Sequence, residues 1–457
     1  MTLLIISPDY ASHLYPLATL GTAWAQAGER VVVASGPATA DIVTAFGFER
    51  ENLQLGRGSN PGTIRVEAQP VGEDDALRGF FNATRRGMVE TLRFQAEARS
   101  SDLLYNPVEI AREVQRIVAR VQPDQVIVDH LAFSARLGLL SAGIAHADVV
   151  LGHPSALPVG AEVYGYPPAW PAVFSPAAAE LALLELQCKA VRDTFTSQWN
   201  AALRELDPAA APSRDAFQES GDVLLLNYPE ELHAPARTVQ LPPHVFLGSA
   251  VRSEAVEPEV EAWLAADSLP VVYVSFGSFL SVRGDVLARV AAALRSLPVR
   301  VAIAVGATDP AELGPVPESW LVRAFLPQVR LLQAASLAVT HGGNNSVTEA
   351  MTAGVPLVVL PFSTDQFAGA AALDAAGFGE SLAPNTATIR DLQAACERML
   401  RVSADLSADL SAGLSADPGA GPSGDAGARL EALAVSLTLQ PGASRAYAAL
   451  ARVPAGG

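Results

Sequence analysis

The sequence predicts an α/β protein built on two doubly wound parallel sheets, and three observations carry that prediction. Short, almost wholly apolar runs recur in both halves: Leu3 to Ser7, Val31 to Val33, Gln125 to Val128 and Leu224 to Leu226, then Val271 to Phe276, Leu337 to Thr340 and Leu357 to Leu360. Such runs suit strands buried on both faces. Helix-like stretches separate them, and that alternation is what parallel strands joined by crossovers require. Finally, 457 residues exceed one ordinary core, so two domains of roughly 200 residues each are expected.

The elements follow in order. Leu3 to Ser7 is the first strand, and Pro16 suits the first turn of a helix over about 16–27, with Leu17, Leu20, Trp24 and Ala27 on one face and Gly28 as its stop. Val31 to Val33 is the next strand and turns at Ser35-Gly36-Pro37. Residues 51–75 are rich in turn formers and read as loop; residues 76–120 read as helical, interrupted at Asn106-Pro107. Gln125 to Val128 is a strand ending at Asp129. Residues 152–176 carry many prolines and aromatics, and a helix-like run over 178–204 leads to Leu224-Leu225-Leu226-Asn227, the expected last strand of a first domain at 1–240. A Pro- and charge-rich stretch, 241–259, reads as a linker to a second domain at 260–437. Within it, 403–427 (SADLSADLSAGLSADPGAGPSGDAG) is of low complexity; with so few bulky side chains a mobile surface insertion is expected. The last helices fall at about 428–437 and 443–453.

Composition excludes several functions. The net charge of −17 argues against nucleic-acid or anionic-membrane partners. Lys189 is the only lysine and reads as part of a solvated helix face, so P-loop, Schiff-base and pyridoxal chemistry are not expected. Cys188 and Cys396 lack CxxC spacing and read as isolated reduced thiols. MTLLIISPDY runs directly into a strand with neither the basic region nor the long apolar core of a signal peptide, and no run of about 18 apolar residues occurs, so a cytoplasmic protein without a transmembrane segment is expected.

The chemistry concentrates in FLPQVRLLQAASLAVTHGGNNSVTEAMTAGVPLVVLPFSTDQ, residues 325–366. A strand, Leu337 to Thr340, runs into His341-Gly342-Gly343-Asn344-Asn345 and a helix opening at about Ser346. That helix stops at Gly354 before a second strand, Leu357 to Leu360. This βαβ unit places a phosphate-sized gap at a helix N-terminus. No Lys or Arg lies between Arg330 and Arg390, so an anion bound here must rely on backbone N–H groups, the helix dipole, His341 and hydroxyls such as Ser346. Glu349 also fits a capping box with Ser346, His341 a packed histidine and Asp365 a solvated loop carboxylate. In the first domain, His13 and Asp129 both fall just beyond carboxyl ends of predicted parallel strands, where open α/β sheets place their sites. Asp129 equally fits a helix cap.

The run resembles the signature region of the family-1, GT-B nucleotide-sugar glycosyltransferases, especially bacterial enzymes that decorate macrolides and other natural products. The resemblance rests on Phe325, Pro327 and Gln328, on His341, Gly343, Asn345 and Ser346, on Glu349-Ala350 and Gly354-Val355-Pro356, and on Pro361 and Asp365-Gln366. It implies two Rossmann-like domains facing each other across a cleft, with the last helix returning to the first domain (438–457). It implies a nucleobase stacked on Phe325 near Gln328, a diphosphate against His341 and Ser346, ribose hydroxyls on Glu349, and sugar hydroxyls on Asp365 and Gln366. Gly277-Ser278, after the strand Val271 to Phe276, is similar to the family's Phe-Gly-Ser element facing the donor phosphates. His13-Leu14-Tyr15-Pro16 matches its His-x-x-Pro element, making His13 the general base and Asp129 its orienting carboxylate. The variable region holding Tyr164, Tyr166 and Trp170 would meet the acceptor. Phe325 and Asn344 stand where relatives often have Trp, so uracil and thymine both remain open.

The implied reaction is inverting transfer of a hexose from a UDP- or dTDP-sugar to a hydroxyl of a small apolar or aromatic acceptor. The donor is a co-substrate; no cofactor and, without an Asp-x-Asp motif, no metal are expected. The alternatives are a nucleotide-sugar epimerase or hydrolase on the same fold, and a non-catalytic nucleotide-binding helper of a partner enzyme.

Overall fold

The computed structural model describes residues 1–62, 73–412 and 422–451. The chain forms two compact units, Met1–Pro168 with Pro176–Ala250 and Pro441–Gly457, and Ala169–Ser175 with Val251–Gln440.

The first unit holds a seven-stranded sheet of β1 (Thr2–Ile6), β2 (Arg30–Ser35), β3 (Glu49–Asn52), β4 (Gln125–Asp129), β5 (Ala147–Val150), β6 (Val223–Leu226) and β7 (His244–Phe246), in the order β3-β2-β1-β4-β5-β6-β7. Every pairing is parallel. Both faces are covered, which is why the strands read as continuous apolar runs. Leu3 and Ile5 pack on one side with Leu17, Leu20 and Trp24. Leu4 and Ile6 pack on the other with Val114 and Ile117. The order reverses between β1 and β4, and Leu3 to Ile6 pair with Gln125 to Val128 there.

The second unit repeats the plan with β8 (Val271–Ser275), β9 (Arg300–Ala304), β10 (Leu321–Arg323), β11 (Ala335–Thr340), β12 (Leu357–Val359) and β13 (Gly379–Ser381), in the order β10-β9-β8-β11-β12-β13. Its reversal lies between β8 and β11, which pair in parallel. Each sheet therefore has a switch point where loops leave two neighbouring strands in opposite directions and open a crevice at their carboxyl ends.

Several boundaries differ from the sequence reading. His244–Phe246 extends the first sheet into the stretch expected to be linker, because a short edge strand needs only three ladder partners, here Leu224 to Leu226. The first long helix is Ala11–Gln26, with Pro16 inside it. Its start is fixed earlier by a distant contact: Ala11 donates its N–H to the Asn60 carbonyl, and Tyr10 accepts from His13 and Leu14. The helical stretch after residue 72 breaks at Gly87 (φ 113°) as well as at Asn106. In the low-complexity segment, residues 403–412 continue the helix Ile389–Ala412, as its Ala and Leu content favours. The expectation of mobility for 413–421 lies outside the described residues. Among the described residues no helix is long and apolar enough to cross a membrane. Lys189 pairs with Glu185 one helical turn away at 2.6 Å, and Cys188 and Cys396 are buried and joined in no disulfide.

Candidate active site

In the first unit the switch point brings together two residues 116 positions apart. Asp129 ends β4, and His13 sits in the first turn of the helix that follows β1. Because β1 and β4 are adjacent, the side chains meet: His13 Nδ1 lies 2.6 Å from Asp129 Oδ2. Asp129 is fully buried while the His13 side chain is 23% exposed. The other carboxylate oxygen accepts the Leu131 N–H at 2.9 Å. Burial alone would push the Asp129 carboxyl up, but His13, His130 and the Leu131 amide together hold it below the ordinary aspartate value. A second carboxylate orders the loop leading to His13. Asp9 accepts the N–H groups of Ala38 and Thr39 and the Thr39 hydroxyl.

Sequence reasoning missed the layer beneath this pair. Arg136 is buried, donates through Nε to Asp148 at 3.0 Å and through Nη1 to the His130 carbonyl at 3.0 Å, and also reaches the Glu219 carbonyl. It thus clamps the turn that follows Asp129. His130 is buried against that turn, and burial lowers its pKa to about 4. The apolar runs gave the strands but not which polar groups their turns would share.

The expected acceptor aromatics separate. Tyr164 is buried, stacked on Phe217 with ring centroids 3.9 Å apart and edge-on to Phe133. Its ring is used within the core, which corrects its assignment as an acceptor contact. Tyr166 is half-buried, and burial raises its hydroxyl pKa. Trp170 is also half-buried and belongs to the short segment that clusters with the second unit.

In the second unit the switch point joins Gly277, after β8, to His341, after β11. Gly277 has φ +67°, and a Cβ there would stand 2.9 Å from His341 Cε1. At Gly343 a Cβ would run into His341 Nε2. The imidazole lies between two glycines because only glycine leaves room for it. Burial lowers its pKa to about 4, so at neutral pH the ring is an uncharged donor or acceptor. The helix Asn344–Ala353 starts here with Gly343 as its cap, a residue with no side chain to cap it. Gly343, Asn345 and Ser346 are part-exposed at that end, leaving amide donors beside a neutral imidazole. Ser278 lies one residue beyond Gly277 in a short helical turn, Gly277–Leu280.

Glu349 is not a capping residue, because the helix starts at Asn344 and places it in the interior. It is buried, and its two oxygens accept from Arg252 Nη1 at 2.7 Å and Gln328 Nε2 at 2.6 Å. Burial raises its pKa against both partners. Gln328 is thereby directed at Glu349, while Phe325, three residues earlier, is 63% exposed. Gln366 is buried, and its Oε1 ties down its own loop by accepting from the Phe362 and Ser363 N–H groups. Asp365 is half-buried and accepts from Thr364, a β-branched residue held at φ +50°. Although the stretch from Arg330 to Arg390 lacks cations, the fold brings several from elsewhere, and two of them bear on residues of this site. They are Arg252 at Glu349 and the fully buried Arg283, whose guanidinium lies over the Phe362 ring at 5.1 Å. Among the described residues no group of three His, Cys, Asp or Glu side chains is placed to hold a metal ion.

Two doubly wound sheets, each with a built crevice at its switch point, define the GT-B class. The structure of the glycotransferase of kitacinnamycin superposes with a TM-score of 0.65 at 20% identity over 99% of this chain and 98% of that one, which establishes the fold. The model of the family described as UDP-glucoronosyl and UDP-glucosyl transferase matches residues 179–405, just under half of the chain. NDP-glycosyltransferase YjiC of Bacillus subtilis is 35% identical over 140 residues, 30% of this chain and 35% of the relative. Demethyllactenocin mycarosyltransferase of Streptomyces fradiae is 32% identical over 135 residues, 29% of each chain. The match thus spans about a third of the length of these curated relatives.

Proposed function

We propose that the protein is an inverting glycosyltransferase that moves a hexose from a UDP- or dTDP-sugar to a hydroxyl of a small apolar or aromatic molecule. The observation that carries this reading is the 2.6 Å contact between His13 Nδ1 and the buried Asp129. In such a pair the carboxylate accepts from Nδ1–H and fixes the tautomer, so that Nε2 is the basic nitrogen. Nε2 takes the proton of the acceptor hydroxyl as its oxygen attacks the anomeric carbon. The C–O bond forms on the face opposite the departing diphosphate, so the configuration inverts, and the imidazolium is stabilised by Asp129. General-base assistance of this kind is worth about 10²–10⁴ in rate.

The nucleoside diphosphate is held in the second unit. The amides opening Asn344–Ala353 and that of Ser278, the neutral His341 ring and the Ser346 hydroxyl serve its phosphates, with Gly277, whose own N–H is held by Ser275, leaving room for the ring. Glu349 serves the ribose, and the exposed Phe325 ring stacks on the base. Asp365 and Gln366 serve the sugar, Gln366 also bracing its loop. Charge stabilisation by fixed amides needs no divalent ion. A mycarosyltransferase among the relatives supports a natural-product acceptor.

The test is a binding panel of UDP, dTDP and GDP, followed by product analysis by mass spectrometry with each sugar donor against phenols and macrolides. The expected result is a glycoside formed only with acceptor present, through His13 and without loss of rate in EDTA. Free sugar or an isomerised donor appearing at full rate without acceptor would replace this reading with hydrolysis or epimerisation.

A further inference from the structure

We propose that Arg252 is a positioning residue for donor recognition: acting through Glu349, it makes the site select nucleotides by their ribose hydroxyls. The inference rests on the donor site proposed above and adds the residue that tunes it.

Glu349 lies six residues beyond the cap Gly343, about 9 Å along the helix axis from the N-terminal amides. A carboxylate buried there without partners would protonate or turn away, and would stop being a fixed acceptor. Instead both oxygens are pinned, one by Arg252 and one by Gln328, at 2.7 and 2.6 Å. A carboxylate has about four lone-pair sites, so each oxygen keeps one for a hydroxyl.

Arg252 is itself fixed. Its Nη2 donates to Glu254 Oε1 at 2.7 Å, and Glu254 Oε2 accepts the Arg330 N–H at 3.2 Å. Arg330 belongs to the short helix Gln328–Leu332, which also presents Gln328 to Glu349. The brace thus closes on itself: Arg252 to Glu349 to Gln328, and back through that helix and Glu254 to Arg252. Tyr273 Oη adds a contact to Gln328 Oε1 at 3.4 Å. The charged and titratable groups facing Glu349 are therefore Arg252, Glu254 and Tyr273. Arg252 is the one cation among them and stands 97 residues away in sequence. Shared between Glu349 and Glu254, its one charge offsets part of the negative charge that would repel a diphosphate at the same helix.

The experiment compares affinities, by titration calorimetry on the full chain, for UDP against 2′,3′-dideoxy-UDP and for dTDP against 2′,3′-dideoxy-TDP. The native protein is expected to prefer the hydroxylated form of the nucleotide it binds by about 10–100-fold, the worth of a hydrogen bond to a charged group. Arg252→Met and Arg252→Gln are expected to bring that ratio to about 1–3, with Arg252→Lys between them and the native protein. Glu349→Gln is expected to lower the ratio likewise, and adding Arg252→Met to it should change nothing more. That double variant leaves no unpaired charge at position 349, only Glu254 losing its cation while keeping the Arg330 N–H, so it reads the inference if the single variants do not fold. If Arg252→Met and Arg252→Gln weaken both members of a pair equally, or if Arg252→Met shifts the ratio in the Glu349→Gln background, Arg252 is merely structural and the inference falls. A native protein that binds a diphosphate with no preference overturns the inference alone; one that binds none of the four overturns the donor site with it.

Discussion

Replacing Asp129 by Asn removes one charge from the His13 pair and, with the amide oxygen kept on the Leu131 N–H, turns an NH2 group toward Nδ1 in place of its acceptor. The amide oxygen can still accept the Leu131 N–H, so the turn after β4 keeps its anchor. What is lost is the acceptor that keeps the proton on Nδ1 and, with it, the attraction between carboxylate and imidazolium, which sets the least effect. With Nδ1 and Oδ2 2.6 Å apart, the charge centres lie about 4 Å apart, worth about 4 kcal/mol at an effective dielectric of 20. If half to all of that is expressed when the proton reaches His13, the rate of transfer falls by about 30- to 1,000-fold. Nucleotide affinity, which belongs to the other unit, should not move. Single-turnover transfer at saturating donor, followed by mass spectrometry, reads the step directly. Combining Asp129→Asn with His13→Ala tests whether the two act as one device, since the second change should add little. A rate within fivefold of native, or losses that multiply, would refute the reasoning.

Other perturbations have equally definite outcomes. Gly343→Ala places a methyl against the His341 ring, so nucleoside diphosphate affinity should drop tenfold or more, with about 1–3 kcal/mol of stability lost to crowding; calorimetry and urea unfolding read the two effects. Phe325→Ala should cost about 1–3 kcal/mol of nucleotide binding through lost stacking while leaving Tm unchanged, because the ring is 63% exposed. Acid should destabilise the fold earlier than carboxylate titration alone predicts. His130, His233 and His341 are lowered to about 4 and His153 to about 3, all by burial, whereas unfolded histidine titrates near 6.5. From about pH 6.5 down to about 4 the unfolded chain therefore binds protons that the folded chain excludes, and stability falls as pH falls. Asp374, pushed up to about 6 by burial, holds a proton when folded and offsets one of them. A net uptake of about three protons on unfolding at pH 5 is expected, and a Tm that stays flat between pH 6.5 and 5 would contradict it.

How much of this was legible depends on the range of the interaction. The strands of both switch points were readable because strands covered on both faces must be apolar throughout, and the residues following them had to fall at the sheet edge. His13, Asp129, Gly277 and His341 are such residues. Contacts set by tertiary approach were not readable. The helix Ala11–Gln26 starts where Asn60 meets Ala11, so Pro16 misled as a start signal. Tyr164 looked like an acceptor platform in a loop rich in aromatics, yet Phe217, 53 residues on, claims its face. The apparent lack of cations near His341 was a property of one segment; Arg252 and Arg283 arrive from β-strand connections that no local pattern links to it. Ser346 and Glu349 fitted a capping box at the right spacing, and only the helix start at Asn344 separates the two readings.

The closing helix has a consequence for the order in which the molecule is made. Ala446 and Leu450, in Gly442–Ala451, belong to the same apolar cluster as Leu17, Leu20 and Trp24, and Tyr447 meets the Trp24 indole edge-on at 5.1 Å. The unit that leaves the ribosome first thus lacks part of its interior until its final residues are translated. The stretch between, Val251–Gln440, is 190 residues long, or about 10–40 s of synthesis at about 5–20 residues per second. For that time the nascent amino-terminal half keeps an apolar seam open to water and to chaperones, while the later half can already complete its own sheet.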